Sequence, residues 1–447
     1  MCLTVVSCSS TTSVDIFPPP QQWAWMRGAN GTNQSGAYGS EGKTTAGNGP
    51  GSRQGAVSWT DPAGNLWLFG GIGVDSTGTQ GELNDLWVYS QGQWTWMSGA
   101  NVANQPGTYG TEGTAAAANV PGARSGAVSW TDAAGNLWLF GGTGIDSTGT
   151  QGELNDLWVY SHGQWAWMSG ANVANRPGTY GTEGTAVATN VPGARTGAVS
   201  WTNAAGNLWL FGGTGVDSTG TQGELNDLWV YSRGQWTWVS GANAANQPAT
   251  YGTEGTAATA NVPGARSGAV SWTDPAGNLW LFGGSGVASD SASGFLNDLW
   301  VYRRGEWTWM SGSNEVNQTG TYGSEGTAAA SNVPAARQDA ISWTDAAGQL
   351  WLFGGMDADD NGTPTSLLND LWVYSQGQWI WVGGANTANQ LGTYGTQGTP
   401  AAANVPGART GAVSWTDPAG NLWLFGGTGL ASSANSGLLN DQWVYKP

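Results

Sequence analysis

Residues 53–59 read Arg-Gln-Gly-Ala-Val-Ser-Trp, and the phrase returns, barely altered, with its Arg at Arg124, Arg195, Arg266, Arg337 and Arg409. The spacing is 71 residues four times and 72 once. A fixed period marks a repeat architecture and overrides the two or three domains that 447 residues would otherwise imply. Outward from the phrase, each period holds four apolar runs, which in the first are Gly55–Trp59, Leu66–Gly71, Leu86–Tyr89 and Trp94–Met97. Each is too short for a helix, rich in Val, Trp, Tyr, Leu and Phe, and bounded by Gly, Asn, Asp or Pro, which is the pattern of a strand. Leu66-Trp67-Leu68-Phe69 is apolar at every position, as a strand covered on both faces requires. Thr60–Asn65 and Gln91-Gly92 have turn chemistry and join the first to the second run and the third to the fourth.

The two ends complete the reading. Gln22-Trp23-Ala24-Trp25-Met26 is a fourth strand with no first three before it, and Asn440–Tyr445 is a third strand with no fourth after it. The expected fold is therefore all-β: a six-bladed β-propeller over residues 22–447, four antiparallel strands per blade, closed when the N-terminal strand joins the last three. Closure removes the open edges that invite aggregation. Residues 1–21 read as a separate tail.

Gly70-Gly71, Asn84-Asp85-Leu86-Trp87-Val88-Tyr89 and Trp94-x-Trp96 resemble the kelch motif and the propeller domain of galactose oxidase, six times over residues 23–447. Two features depart from that pattern. Ala56 stands where kelch strands often carry His, and the period exceeds the roughly 50 residues of a kelch repeat. The resemblance implies a kelch propeller of a bacterial type. A galactose-oxidase-like copper site would need two His, two Tyr and a Cys, whereas the chain has His162 alone and its Cys only at Cys2 and Cys8, which excludes that chemistry. Sialic-acid mutarotases share the six-bladed kelch plan, so a sugar-acting enzyme with its site at the channel mouth is an alternative to a binding module or a purely structural surface protein.

Composition narrows the partners. The net charge is −17 with only 13 Lys and Arg, so there is no basic footprint for nucleic acid or for an anionic membrane surface. No run of about 18 apolar residues predicts a membrane span. Val5-Val6-Ser7-Cys8 resembles a bacterial lipobox, which makes Cys8 a candidate lipidation site, with Ser9–Thr12 and Pro18–Pro20 as a tether. An exported, surface-displayed, monomeric protein with a protein or glycan ligand is the expectation.

The length beyond a minimal blade falls in two connections, Ser98–Ala123 of 26 residues and Ile72–Asn84 of 13, which emerge on the same face. That face is the expected binding face. All 30 Trp lie on the predicted strands and read as core. The long connection carries a recurrent tyrosine, Tyr38, Tyr109, Tyr180, Tyr251, Tyr322 and Tyr394, which either stacks on ligand or pins its own loop. The six Arg begin the innermost strand and either ring the channel mouth as an anion site or pair with the strand-three Asp (Asp85 and its copies) and the loop Glu (Glu41 and its copies). Asp339 replaces the Gly found at Gly55 and its copies, and is the one candidate acid near the channel. Asp357-Ala-Asp359-Asp360-Asn361-Gly362 matches the start of a calcium loop, with Asp357, Asp359 and Asn361 as oxygen ligands, although Leu368 stands where an EF-hand has its bidentate Glu. No other cofactor is expected.

Overall fold

The computed structural model describes residues 21–203, 205–358 and 364–447. The described chain is built of antiparallel strands. In the first repeat the inner strand Val57–Thr60 pairs with Leu66–Val74, which pairs with Gln80–Ser90, which pairs with the outer strand Gln93–Ser98. The inner strand is preceded by a short piece, Arg53–Gln54, that pairs with the same second strand at Gly73 and Ile72.

The second and third strands run further than the apolar runs alone indicate. Most of the expected 13-residue connection is hairpin, with Ile72–Val74 opposite Gln80–Glu82. A register shift at Phe69/Gly71 resets the alternation of side chains, which is why the sequence pattern fades there. The turn at its tip is held by Asp75, whose Oδ1 accepts from the Thr77 and Thr79 amides at 2.8 and 2.9 Å and whose Oδ2 accepts from the Ala103 amide at 3.0 Å.

Consecutive repeats pack face to face through aromatic clusters. Trp59, Phe69 and Leu86 of one repeat meet Leu137, Leu139, Trp158 and Trp165 of the next, and equivalent clusters recur around the molecule. The inner strands touch in cyclic order, each contacting the next and the last, Val413–Thr416, contacting Val57–Thr60. The first described strand, Gln22–Arg27, pairs with the last, Gln442–Lys446, from Gln22↔Lys446 to Arg27↔Gln442. The architecture is that of a β-propeller.

The 26-residue connection does not simply decorate one face. It folds on itself, with the Thr108 and Val120 backbones bridged, and then runs along the outer strand of the repeat it is entering. The Gly113 amide donates to Trp167 O at 2.7 Å, and Asn119 Nδ2 donates to Trp165 O at 3.1 Å. The same bond from the connection to an outer-strand Trp carbonyl recurs around the ring, including Gly398 N to Trp25 O on the N-terminal strand. An outer strand would otherwise present a row of unpaired backbone groups to solvent, and this cover removes it.

Candidate functional site

The six conserved-position Arg lie inside the blades. Arg53 donates through Nη1 and Nη2 to Asp85 Oδ1 and Oδ2 at 2.7 and 2.8 Å, and through Nη1 to Gly70 O at 2.9 Å. Asp85 Oδ2 also accepts from Tyr38 Oη and from Trp87 Nε1, each at 2.6 Å. The Arg and Asp side chains are 1% and 0% exposed. The same bidentate pair and tyrosine bond recur in every repeat, from Arg124–Asp156–Tyr109 to Arg409–Asp441–Tyr394. Burial disfavours the Arg53 charge, but Asp85 outweighs it and holds the guanidinium protonated. Burial, and then the Asp85 charge, push the Tyr38 hydroxyl above its usual range.

This geometry corrects the ligand-binding reading of both rings. Arg53, Arg124, Arg195, Arg266, Arg337 and Arg409 have no guanidinium face left for an anion. Tyr38, Tyr109, Tyr180, Tyr251, Tyr322 and Tyr394 pack edge-on and tilted against two Trp of their own blade, as Tyr38 does on Trp87 and Trp96 at 4.9 and 5.3 Å. The tyrosine pins the connection to the blade, and a fully bonded buried ion pair fixes the inner strand to the third. The loop Glu side chains, Glu41 among them, are exposed and take no part in these pairs.

At the channel, Gly55, Gly126, Gly197, Gly268, Asp339 and Gly411 form a closed cycle of backbone hydrogen bonds, each amide donating to the carbonyl of the preceding repeat at 2.7–2.9 Å. All six have positive φ, 61–63° at the glycines and 50° at Asp339. Glycine is the residue for that conformation, and Asp is one of the few others that tolerate it. The Asp339 carboxylate lies over Gly268, where an added Cβ would come within 2.7 Å of its Oδ1. Burial alone pushes its pKa up to about 6. It lines a hollow of about 290 Å³ with Gln54, Ser125, Thr196, Ser267 and Gln338. Arg337, the neighbour that could have joined it in a site, is committed to Asp370.

Three further carboxylates, not singled out from the sequence, lie between blades near this end: Glu82, Glu153 and Glu224. Ser125 Oγ donates to Glu82 Oε1 at 3.2 Å, Gln222 Nε2 to Glu153 Oε1 at 2.9 Å, and Thr214 Oγ1 to Glu224 Oε1 at 3.1 Å. The second oxygen of each is buried without a partner among the described residues. Burial raises all three, Glu82 to about 7. The signal was present in the repeat: the same position holds Phe295, Leu367 and Leu438 in the other copies, which marks it as interior.

Of the three candidate calcium ligands, Asp359 and Asn361 fall outside the described residues, as does Cys8. Asp357 lies on the second strand opposite Ser366 and Arg337, with its carboxyl pushed up to about 6 by burial, against the pull of Arg337. The Asp75 turn and its copies Asp146 and Asp217 spend their carboxylate oxygens on their own backbone.

Larger hollows open on the opposite side, where the short turns lie. One of about 900 Å³ lies between the second and third repeats and one of about 940 Å³ between the third and fourth. Each has a Trp from one repeat and a Tyr from the next on its wall, Trp138–Tyr231 and Trp209–Tyr302, with ring centroids 5.6 and 5.7 Å apart. The same pair recurs at the other junctions, as at Trp67–Tyr160 and Trp423–Tyr89.

No family profile and no curated protein sequence matches this chain. Among solved structures it is similar to that of YjhT, with a TM-score of 0.52 and 13% identity over 88% of this chain and 95% of that one. It also aligns with a fungal alcohol oxidase of the AA5 family in complex with copper, with a TM-score of 0.45 and 14% identity over 92% of this chain and 77% of that one. At 13% identity the likeness to YjhT is one of fold alone.

Proposed function

We propose that the chain is a closed six-bladed kelch propeller that works as a non-catalytic binding module for a protein or glycan. The observation that carries this is the commitment of every repeat Arg, Asp and Tyr to one buried internal triad, which leaves no free cation beside Asp339 among the described residues for acid–base chemistry. An enzyme needs several titratable groups converging on one substrate. The open surface instead carries two similar aromatic-walled hollows, and a repetitive ligand engaging both gains by avidity. The long-connection side keeps the smaller hollows, so the short-turn side is the better contact surface. Export, lipidation at Cys8 and a monomeric state complete the proposal, with intact-mass analysis of the membrane fraction and of a Cys8→Ser variant as the check on the anchor.

A screen of the full chain against glycans and surface proteins, run with calcium and with chelator, tests the module. Specific retention of a ligand supports it, and retention of nothing overturns it. Loss of that retention in chelator but not in Asp357→Asn would place calcium elsewhere than at Asp357, Asp359 and Asn361, and loss in both supports calcium there. Asp339, protonation-prone and without a side-chain partner among the described residues, favours a second reading, a sugar-converting enzyme at the channel mouth. Turnover of any sugar that disappears in Asp339→Asn would favour the enzyme over the module.

A further inference from the structure

In a chain whose repeats are close copies, residues that break the pattern are informative, and three of them converge on one hollow. Asn203 stands where the other turns have Asp61, Asp132, Asp274, Asp345 and Asp417. Arg303 stands where four other copies have Ser90, Ser161, Ser232 and Ser375 and the last has Lys446, Arg304 adjoins it as Arg233 does in the third repeat, and Glu306 replaces Gln93 and its copies. These four, separated by about a hundred residues, line the 940 Å³ hollow between the third and fourth repeats together with Trp209 and Tyr302.

The exchange of Asp for Asn alters the wall directly. In the neighbouring hollow Asp132 Oδ2 accepts the Trp138 indole N–H at 2.9 Å. Asn203 Oδ1 still holds its turn, accepting from the Ala205 and Asn207 amides at 3.1 and 3.0 Å, but the second carboxylate oxygen is gone. Trp209 Nε1 is consequently buried without an acceptor among the described residues. The exchange also removes a negative charge where two positive ones arrive. Arg303 and Arg304 are exposed, and neither takes part in an ion pair among the described residues.

Resting on the reading of the chain as a binding module, we propose that this hollow is a site for an acidic oligosaccharide, one bearing a uronate-type carboxylate. Half-buried Trp209, backed by the buried Tyr302, offers apolar ring surface to the C–H face of a sugar. The two guanidinium groups match a carboxylate in charge and fork geometry. Glu306 and Asn203 accept and donate to hydroxyls. Selectivity comes from these departures, because the Trp–Tyr pair is common to all junctions and the Arg pair is not.

The test is calorimetric titration of the full chain, at about 0.15 M salt where the overall negative charge is screened beyond roughly 8 Å, with an oligogalacturonate and with a neutral glucan of equal length. The uronate is expected to bind about tenfold more tightly. The double variant R303S/R304Q, which installs the Ser90-Gln91 pair of the first repeat, is expected to remove that preference without changing Tm. N203D is expected to weaken uronate binding while raising Tm, since it returns an acceptor to Trp209. Equal affinity for the two sugars, or uronate affinity unmoved by R303S/R304Q, overturns the proposal. If another ligand from the broader screen is retained in either case, the module stands without this site; if nothing is retained, both fall.

Discussion

Trp23 lies directly opposite Tyr445 in the antiparallel pair that joins the chain's two ends, their ring centroids 5.0 Å apart. Trp23 is 5% exposed and also packs on Trp343 and Phe353 of the preceding repeat and on Trp443. Trp23→Ala should therefore destabilise the protein by about 3–5 kcal/mol. Urea unfolding is the measurement, and a cost under about 1 kcal/mol would mean that this strand is not integral to the ring.

The buried triads predict an order of effects. Asp85→Asn leaves Arg53 charged and uncompensated in the interior, at a cost of about 3–5 kcal/mol. Tyr38→Phe removes one hydrogen bond and keeps the ring packing, at a cost of about 1–2 kcal/mol. Neither should weaken ligand binding in molecules that remain folded. Loss of binding with unchanged Tm in Tyr38→Phe would restore the ligand-contact role to the tyrosine ring.

Asp339→Gly should stabilise, because it gives a left-handed position to glycine and removes a half-buried carboxylate. The conformational part is about 1 kcal/mol. The electrostatic part depends on pH. The folded pKa of Asp339 is raised to about 6, so the stability this group contributes is complete below the unfolded value near 3.8 and is lost as pH rises through about 6. The gain from Asp339→Gly should therefore be larger at pH 7.5 than at pH 4, as denaturant titrations at the two pH values would show. A gain independent of pH would mean that the carboxylate is well solvated.

Glu82→Gln extends the same logic to a different window. Burial raises Glu82 to about 7, against the Ser125 hydroxyl and the Arg124 charge, which pull it down. Its contribution is complete below the unfolded value of 4.5 and disappears as pH passes about 7. The variant should match wild type near pH 4 and exceed it near pH 8.5 by about 3 kcal/mol. Equal stabilities at both pH values would show that Glu82 finds a partner in solution.

Much of the fold is legible because its determinants are local and repeated. Five Trp per period, four short apolar runs and an unmatched strand at each end point to paired sheets and to the pairing now seen between Gln22–Arg27 and Gln442–Lys446. The extension at Ile72–Val74 escapes notice because the Gly70-Gly71 bulge disrupts strand alternation. The cover over the outer strands escapes because it binds through backbone groups of Gly113 and its copies, which leave no apolar pattern. Asp339 was legible as a break in the repeat. Asn203 and Arg303 are breaks of the same kind, but only the fold shows that they share a wall.

The pairing of the two ends has a consequence for the order of synthesis. Trp23 is among the first of the described residues to emerge from the ribosome, and its partner strand ends at Lys446 of a 447-residue chain. At roughly 5–20 residues per second, the earliest strand waits tens of seconds for its mate. Throughout that interval a translating polypeptide holds out an aromatic ribbon whose partner in the sheet, Gln442–Lys446, has yet to be made.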